Sequence, residues 1–515
     1  MKKSFLHSNV LSLLLVTTLS LSTISCSDDD DATTDPIVVD PDPTPGTPPN
    51  ATFTALTGNN KIAYYNAQNL STPTESWEIT GLQPSETILS IDYRPATGQL
   101  YALGSTSRLY IINEETGLAT ALGAGPFTPA IASENASIDF NPTVDRIRLV
   151  TDSGQNLRLH PELGTVAATD GSINGGNNPK IGAVAYTNSM AGASSTMLYD
   201  IDFEADKLYI QNPPNDGGLQ EVGDLTVDFM GLGGFDIMAN NSLALAVVHN
   251  DEDSRLYTVD LASGKASWVG TFGMDIKGIA IKTNPVAFAT SAANKLYRFN
   301  PMNPNENAVD LMGMMEGEII VGLDFRPANG ALYAITNQSR LLTVNTANGQ
   351  VAAIGSALTP SLSGTSFGFD FNPTVDRIRL VSNTGQNLRL HPDLGTVVFT
   401  DGSLNPGSPI VNGAAYTNNF ASSTATTLYV LDAATNMLYT QSPPNDGVLV
   451  AVGAIGFDID SENGFDIGGS SNMAFGLLTV NNMTAVYSFN LTTGAATKVA
   501  DFNIDATAMA VGLGF

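Results

Sequence analysis

The chain has one cysteine, Cys26, among 515 residues, so no disulfide can form within it. Basic residues are scarce as well: 22 Lys and Arg stand against 50 Asp and Glu, for a formal net charge of −28. A surface of that sign repels phosphate backbones and argues against nucleic-acid binding. The four histidines, His7, His160, His249 and His391, show no zinc-ligand spacing. Charged residues make up 14% of the chain, below the ~25% usual for globular domains, which disfavours long charged helices. Beyond the amino-terminal segment no apolar run reaches the ~20 residues of a membrane-spanning helix. No nucleophile elbow, Walker loop or dinucleotide fingerprint occurs in a strand–turn–helix context, and "HNDEDS" and "DIDSEN" fall short of an EF-hand loop. No residue is therefore nominated as catalytic.

What the sequence has is glycine, 48 residues of it, and a length too great for one ordinary core. It opens on "MKKSFLHSNVLSLLLVTTLSLSTISC": Lys2 and Lys3, an apolar stretch, then small residues up to Cys26. This is the pattern of a secretory signal, and it resembles that of bacterial lipoproteins, in which the cysteine is lipidated and begins the mature protein. Thr23 stands where that pattern usually has Leu. The expectation is a signal over 1–25, lipidation at Cys26 and attachment to a membrane through that lipid. Residues 26–51 follow as a tether with seven aspartates and six prolines, which cannot pack a core. Acidic residues just after the lipidated cysteine resemble the export tag of some surface-displayed lipoproteins. Losing Lys2 and Lys3 with the signal takes the net charge from −28 to −30, and setting aside the seven tether aspartates leaves −23. The folded part is itself acidic.

The segment "FNPTVDRIRLV" occurs at Phe140–Val150 and again, unchanged, at Phe371–Val381, 231 residues on. "GQNLRLHP", "PPNDG" and "GFDI" recur at nearly that offset, so residues 52–282 and 283–515 are two copies of one unit. A shorter period runs inside each: an apolar strand, a turn with Pro or Gly, two strands carrying "LY", and a short closing strand. Nine of the 15 tyrosines directly follow a leucine. Neighbours in a strand point to opposite faces, so both faces of these strands must be buried, as in the stacked blades of a β-propeller. Each copy divides into four such sheets of about 46 residues. Three strands are left over at its start and one at its end, "IKGIAIK" in the first copy, and together these make a fifth sheet. The expected fold is all-β: two tandem five-bladed rings of four-stranded antiparallel blades. The alternative is a single ten-bladed ring closed by Thr52–Leu56 against Ala508–Leu513.

In "RIRLV", Arg146 and Arg148 share a strand face, as do Arg158 and His160 in "NLRLHP". Buried cations need partners, and the inner strands offer Asp92, Asp139 and Asp236, with Asp145 beside Arg146 in the turn. The second copy repeats the set as Arg377, Arg379, Arg389 and His391 with Asp324, Asp370, Asp466 and Asp376. One reading is a salt-bridge network between blades. The other places the arginines at a rim, where a planar guanidinium grips a carboxylate or an acidic sugar. The 33 residues Asp139–Gly171 differ from Asp370–Gly402 at six positions only, so this blade is under a constraint that the others escape. The inner-strand aspartates, Asp92, Asp236, Asp324 and Asp466 among them, are also candidate ligands for a cation such as Ca²⁺.

With "IDYRPATGQLYAL" before it, "FNPTVDRIRLVTDSGQNLRLHPELGT" resembles bacterial domain-of-unknown-function family 4394, in two tandem copies. The resemblance spans each half almost end to end. It implies a half that folds by itself, since single-copy members exist, but no activity or site residues. The resulting expectation is an exported outer-membrane lipoprotein, non-catalytic, whose rings bind a glycan or an envelope protein. The alternatives are a metal-dependent propeller enzyme, lactonase-like or polysaccharide-cleaving, and a purely structural envelope component.

Overall fold

A computed structural model describes residues 45–515 apart from 230, 250–252, 284, 285 and 460. The expected signal, Cys26 and most of the tether lie outside the described residues. Within them the secondary structure is forty strands and two short 3₁₀ turns. The strands form ten separate four-stranded antiparallel sheets.

Each sheet is a blade, named here by its inner strand. In the first ring these are blade 1 (Ile276–Ala280), blade 2 (Ile88–Tyr93), blade 3 (Ala136–Asn141), blade 4 (Ile181–Tyr186) and blade 5 (Leu232–Ile237). In the second they are blade 6 (Ala506–Val511), blade 7 (Ile320–Phe325), blade 8 (Phe367–Asn372), blade 9 (Val411–Tyr416) and blade 10 (Ser461–Ile467). Inner strands touch their neighbours in two closed cycles, blades 1 to 5 and blades 6 to 10.

The chain ends of each half close its ring. Thr54, Ala55 and Leu56 pair with Ala280, Ile279 and Gly278 in blade 1. In blade 6, Ala287, Phe288 and Ala289 pair with Val511, Ala510 and Met509. The ten-bladed alternative is thereby overturned, because it requires Thr52–Leu56 to pair with the last strand of the chain. That last strand takes Ala287–Ser291 instead, the strand that begins its own half.

The Leu-Tyr pairs show why the sheets stack. Leu100 and Tyr101 are both fully buried but belong to different cores. Leu100 packs with Leu56, Ile62 and Ala280 of blade 1. Tyr101 packs with Ile147 and Leu149 of blade 3, its ring edge-on to Phe140 at 5.0 Å. Burying one such side chain stabilises by about 1.5–3 kcal/mol, and a strand that does so on both faces holds two blades against it. The turn in "FNPTVDR" is set by Asn141, whose Oδ1 accepts from the Thr143 backbone N–H at 3.0 Å and from its hydroxyl at 2.7 Å. Asn372 and Thr374 repeat the same geometry.

The rings meet through loops. The Gly514 N–H donates to the Thr97 carbonyl at 2.7 Å, and Asn307 Nδ2 to the Gly192 carbonyl at 2.8 Å.

Candidate functional site

The repeated arginines lie in blades 3 and 8. Arg148 is 2% exposed and uses its whole guanidinium. It donates to Asn156 Oδ1 at 2.7 Å, Asp170 Oδ2 at 2.6 Å and Asn215 Oδ1 at 2.8 Å, and lies 3.4 Å from the Tyr186 hydroxyl. Arg158 closes a two-pronged pair on the same Asp170, both contacts at 2.8 Å. The second ring copies this: Arg379 reaches Asn387, Asp401 and Asn445, Arg389 chelates Asp401, and its guanidinium stacks on Phe399 at 4.1 Å. Asn215 and Asn445 sit in the 3₁₀ turns Pro214–Asp216 and Pro444–Asp446 of blades 4 and 9, which accounts for the recurrence of "PPNDG". These contacts tie each arginine blade to the next.

The partners are not those expected. Asp170 and Asp401, which sequence reasoning passed over, carry the ion pairs in place of the inner-strand aspartates. Asp145 does not pair with Arg146, whose Nη1 donates to the Asp145 backbone carbonyl at 2.7 Å; Arg377 and Asp376 do likewise at 2.8 Å. The Asp145 carboxylate belongs to Arg94. That guanidinium, 0% exposed, donates to both Asp145 oxygens at 2.9 and 2.5 Å, to Glu162 at 2.9 Å and to the Gly330 carbonyl of the other ring at 3.0 Å. Thr346 of the second ring also reaches Asp145, at 3.1 Å. The same guanidinium holds the Asp145 carboxyl below the usual range although burial opposes it. Its counterpart Arg326 binds Asp376 and Asp393. His160 accepts the Glu162 N–H on Nδ1 at 3.3 Å, and burial with nearby Arg146 and Arg94 pushes its pKa down to about 4. His391 accepts the Asp393 N–H in the same way. The "R" in "DYRP" and "DFRP" was the available signal for Arg94 and Arg326, each one residue beyond its inner strand.

The inner-strand aspartates converge instead on one another. One carboxylate oxygen from each of Asp92, Asp139 and Asp236 lies within 4.8 Å of the other two, and Asp324, Asp370 and Asp466 repeat the trio. Each carboxylate accepts from backbone N–H groups. Asp92 holds Tyr93 and Phe140, both at 2.7 Å; Asp139 holds Tyr186 at 2.9 Å; Asp236 holds Ile237 at 2.6 Å and Ile281 at 2.5 Å. Five inner strands thus present five N–H groups, and three aspartates serve them all. Blades 1 and 4 have alanine, Ala280 and Ala185, where the others have aspartate. Burial first, and neighbouring carboxylates second, push Asp92 and Asp139 well above the ordinary range; burial takes Asp236 to about 7. The second trio behaves alike, with Asp466 at about 7.

At the opposite ends of the inner strands, the first ring opens into a cavity of about 680 Å³. Leu89, Glu134, Asp152, Lys180, Phe203 and Lys277 are among its lining residues. Neither lysine Nζ has an ion-pair or hydrogen-bond partner among the described residues, and burial pushes Lys277 below the usual lysine range. Gly182 and Gly233 seat the Phe203 ring: a Cβ on Gly182 would meet its Cγ at 2.8 Å, and one on Gly233 would meet the Val247 carbonyl at 2.1 Å. The second ring's cavity is about 270 Å³. There Phe367, Asn412 and Thr507 replace Ala136, Gly182 and Lys277.

Two closed rings of five antiparallel blades define a tandem β-propeller. The chain belongs to the family described as Domain of unknown function (DUF4394), whose model matches residues 61–280 and again 295–512. No curated protein matches. Among solved structures the chain is similar to PorZ, described as an essential bacterial surface component of the type-IX secretion system of Porphyromonas gingivalis. The identity is 12% and the TM-score 0.25, over 89% of this chain. The chain spans 61% of the length of that one.

Proposed function

We propose that this is an exported, lipid-anchored envelope protein that binds a carboxylated saccharide in the open funnel of its first ring, without catalysis. Cys26 carries the lipid, the acidic tether holds the rings off the membrane, and the rings form a rigid frame. The observation that carries the binding reading is a pair of lysines, Lys180 and Lys277, without an ion-pair partner among the described residues, on one cavity of a strongly acidic chain. Two cations that make no ion pair among the described residues suit an anionic ligand, and a half-buried one gains most from such a partner because water screens it least. Leu89 and Phe203 offer an apolar wall for a sugar ring, and Glu134 and Asp152 offer acceptors for its hydroxyls. The blade 3 and blade 8 arginines are engaged within the fold, which favours a bracing role over a rim site for them. The aspartate trios are buried and none of their members lines the funnel, which favours a structural role for them over an enzymatic one.

Titration calorimetry with uronic-acid oligosaccharides and with neutral oligosaccharides of equal length tests this. Only the acidic set is expected to bind, with affinity falling at least about tenfold in Lys277→Met, the loss of one charge-assisted contact. Thr507→Met in the second ring leaves it unchanged. Equal binding of both sets, or of wild type and Lys277→Met, refutes the reading.

A further inference from the structure

The aspartate trios contain a mismatch of donors and acceptors. Five inward N–H groups meet six carboxylate oxygens in each ring, so one oxygen is left without a donor. In the second ring that oxygen is Asp370 Oδ2: the residue is 1% exposed, and the atom has no hydrogen-bond partner. One oxygen of the Asp370 carboxylate lies within 4.8 Å of an oxygen of Asp324 and of Asp466. Carboxylates this close and away from water repel strongly unless one takes up a proton or a cation lies between them.

From this geometry we infer that each trio holds one calcium ion where the five inner strands converge. The donors are oxygens only, with no nitrogen or sulfur ligand, which selects a hard cation. The surroundings are sealed: Asp92, Asp139 and Asp236 are 4%, 3% and 4% exposed, and their second-ring counterparts 0%, 1% and 1%. Mg²⁺ keeps several waters and demands a regular octahedron, whereas Ca²⁺ accepts six or more oxygens in irregular array. Each trio brings three carboxylate oxygens together, one from each aspartate, and backbone N–H bonds fix the orientation of all three side chains in advance.

A second observation comes from comparing the rings. The funnel lining has diverged, Lys277 to Thr507, Lys180 to Ile410 and Ala136 to Phe367. The trio has not: all three aspartates, both alanines in the remaining blades and all five N–H contacts persist. The bound ion would draw the three aspartate-bearing blades of each ring to a common point, so its role is to lock the ring. This inference is independent of what the funnel binds.

The test uses the full chain. Elemental analysis after dialysis is expected to find two calcium ions per chain, one for each trio. Chelator should lower the melting temperature of both rings, and Ca²⁺ but not Mg²⁺ should restore it. Asp139→Asn keeps an acceptor for the Tyr186 N–H and removes a charge; it should reduce the count to one, and Asp139→Asn with Asp370→Asn to none. Should the variants not fold, Tb³⁺ luminescence on chelated wild type gives the same answer, since Tyr93 and Tyr186 adjoin the trio and would sensitise the ion. Chain that is metal-free as purified, with no Ca²⁺-dependent melting shift and no Tb³⁺ signal, overturns the inference and leaves protons to fill the cluster. Restoration by Mg²⁺ alone overturns the choice of calcium.

Discussion

Asp200 offers the sharpest test of how these rings are held together. It lies in the second strand of blade 4, between Val184 and Tyr209 in the sheet register, and is 0% exposed. Neither carboxylate oxygen has a hydrogen-bond partner. Burial pushes its pKa well above the ordinary range, and only the charge of Arg148 opposes the shift. At the same register position of blade 9, between Ala414 and Tyr439, stands Val430, also 0% exposed, packed with Val381, Val411, Tyr416 and Leu428. The first ring has Val150, Ile181, Tyr186 and Leu198 in the corresponding places. Valine is close to aspartate in volume, so the site in the first ring is already shaped for it.

Asp200→Val should therefore stabilise the first ring. A buried polar group left without partners costs about 1–3 kcal/mol, and a domain of this size shifts its melting point by roughly 2–4 °C per kcal/mol. A rise of about 2–12 °C in one calorimetric transition is expected, with the other unmoved. Val430→Asp should lower the second transition and so assign the two. The effect must also grow with pH. The folded pKa is raised above the unfolded value of about 3.9, so wild type keeps its full stability below that value and loses it as pH rises toward the folded pKa, by up to about 1.4 kcal/mol per unit. The variant has no such loss, and its advantage widens between pH 4 and pH 7. A variant that melts lower than wild type would show that Asp200 serves as a counterion to Arg148. An advantage that is independent of pH would equally refute the argument.

Arg148→Ala should cost about 3–5 kcal/mol in urea unfolding, because it strips a buried ion pair and leaves Asp170 to Arg158 alone; Arg158→Ala, whose side chain is 35% exposed, should cost about 1 kcal/mol or less. Arg94→Leu leaves Asp145 and Glu162 without their cation and deletes the bond to Gly330, so hydrogen exchange should rise on both sides of the ring contact. Arg326→Leu, whose partners Asp376 and Asp393 have side chains 36% and 59% exposed, should change the same exchange rates far less.

The ring architecture was legible because it is written in period and parity: the 231-residue offset, the Leu-Tyr pairs and the split fifth sheet each constrain strand pairing directly. The choice between two rings and one was harder, since it turns on which partner the Thr52–Thr57 edge takes, and both candidates are apolar strands of similar length. The blade 3 arginines stood out by repetition, but their counterions did not. Strand parity says which face a side chain occupies, not how far a long arginine reaches along it. Arg148 passes over Asp139, its direct cross-strand neighbour, to find Asp170 beyond the far edge of its own blade. Arg94 was hidden because its partners, Asp145 and Glu162, lie 51 and 68 residues away and meet it only through the packing of blade 2 on blade 3. The funnel was not legible at all. It depends on small residues: Ala136 stands where the second ring has Phe367, and Gly182 and Gly233 let the Phe203 ring lie against the inner strands.

The differences between the rings are ordered by depth. The trios and the Arg148 and Arg379 networks are the same in both, while the funnel residues differ at nearly every lining position. Duplication explains this division physically. A substitution in a buried ionic cluster strands the remaining members without partners and costs several kcal/mol, so it is closed to both copies. A substitution at the funnel mouth strands no buried partner, so one copy can fill its channel with Phe367 and Asn412 while the other keeps an open funnel. Asp200 fits the same logic from the other side. A partnerless carboxyl is tolerated in the first ring although Val430 shows the better-packed solution, and the stability it forgoes is small beside what the braces on either side supply.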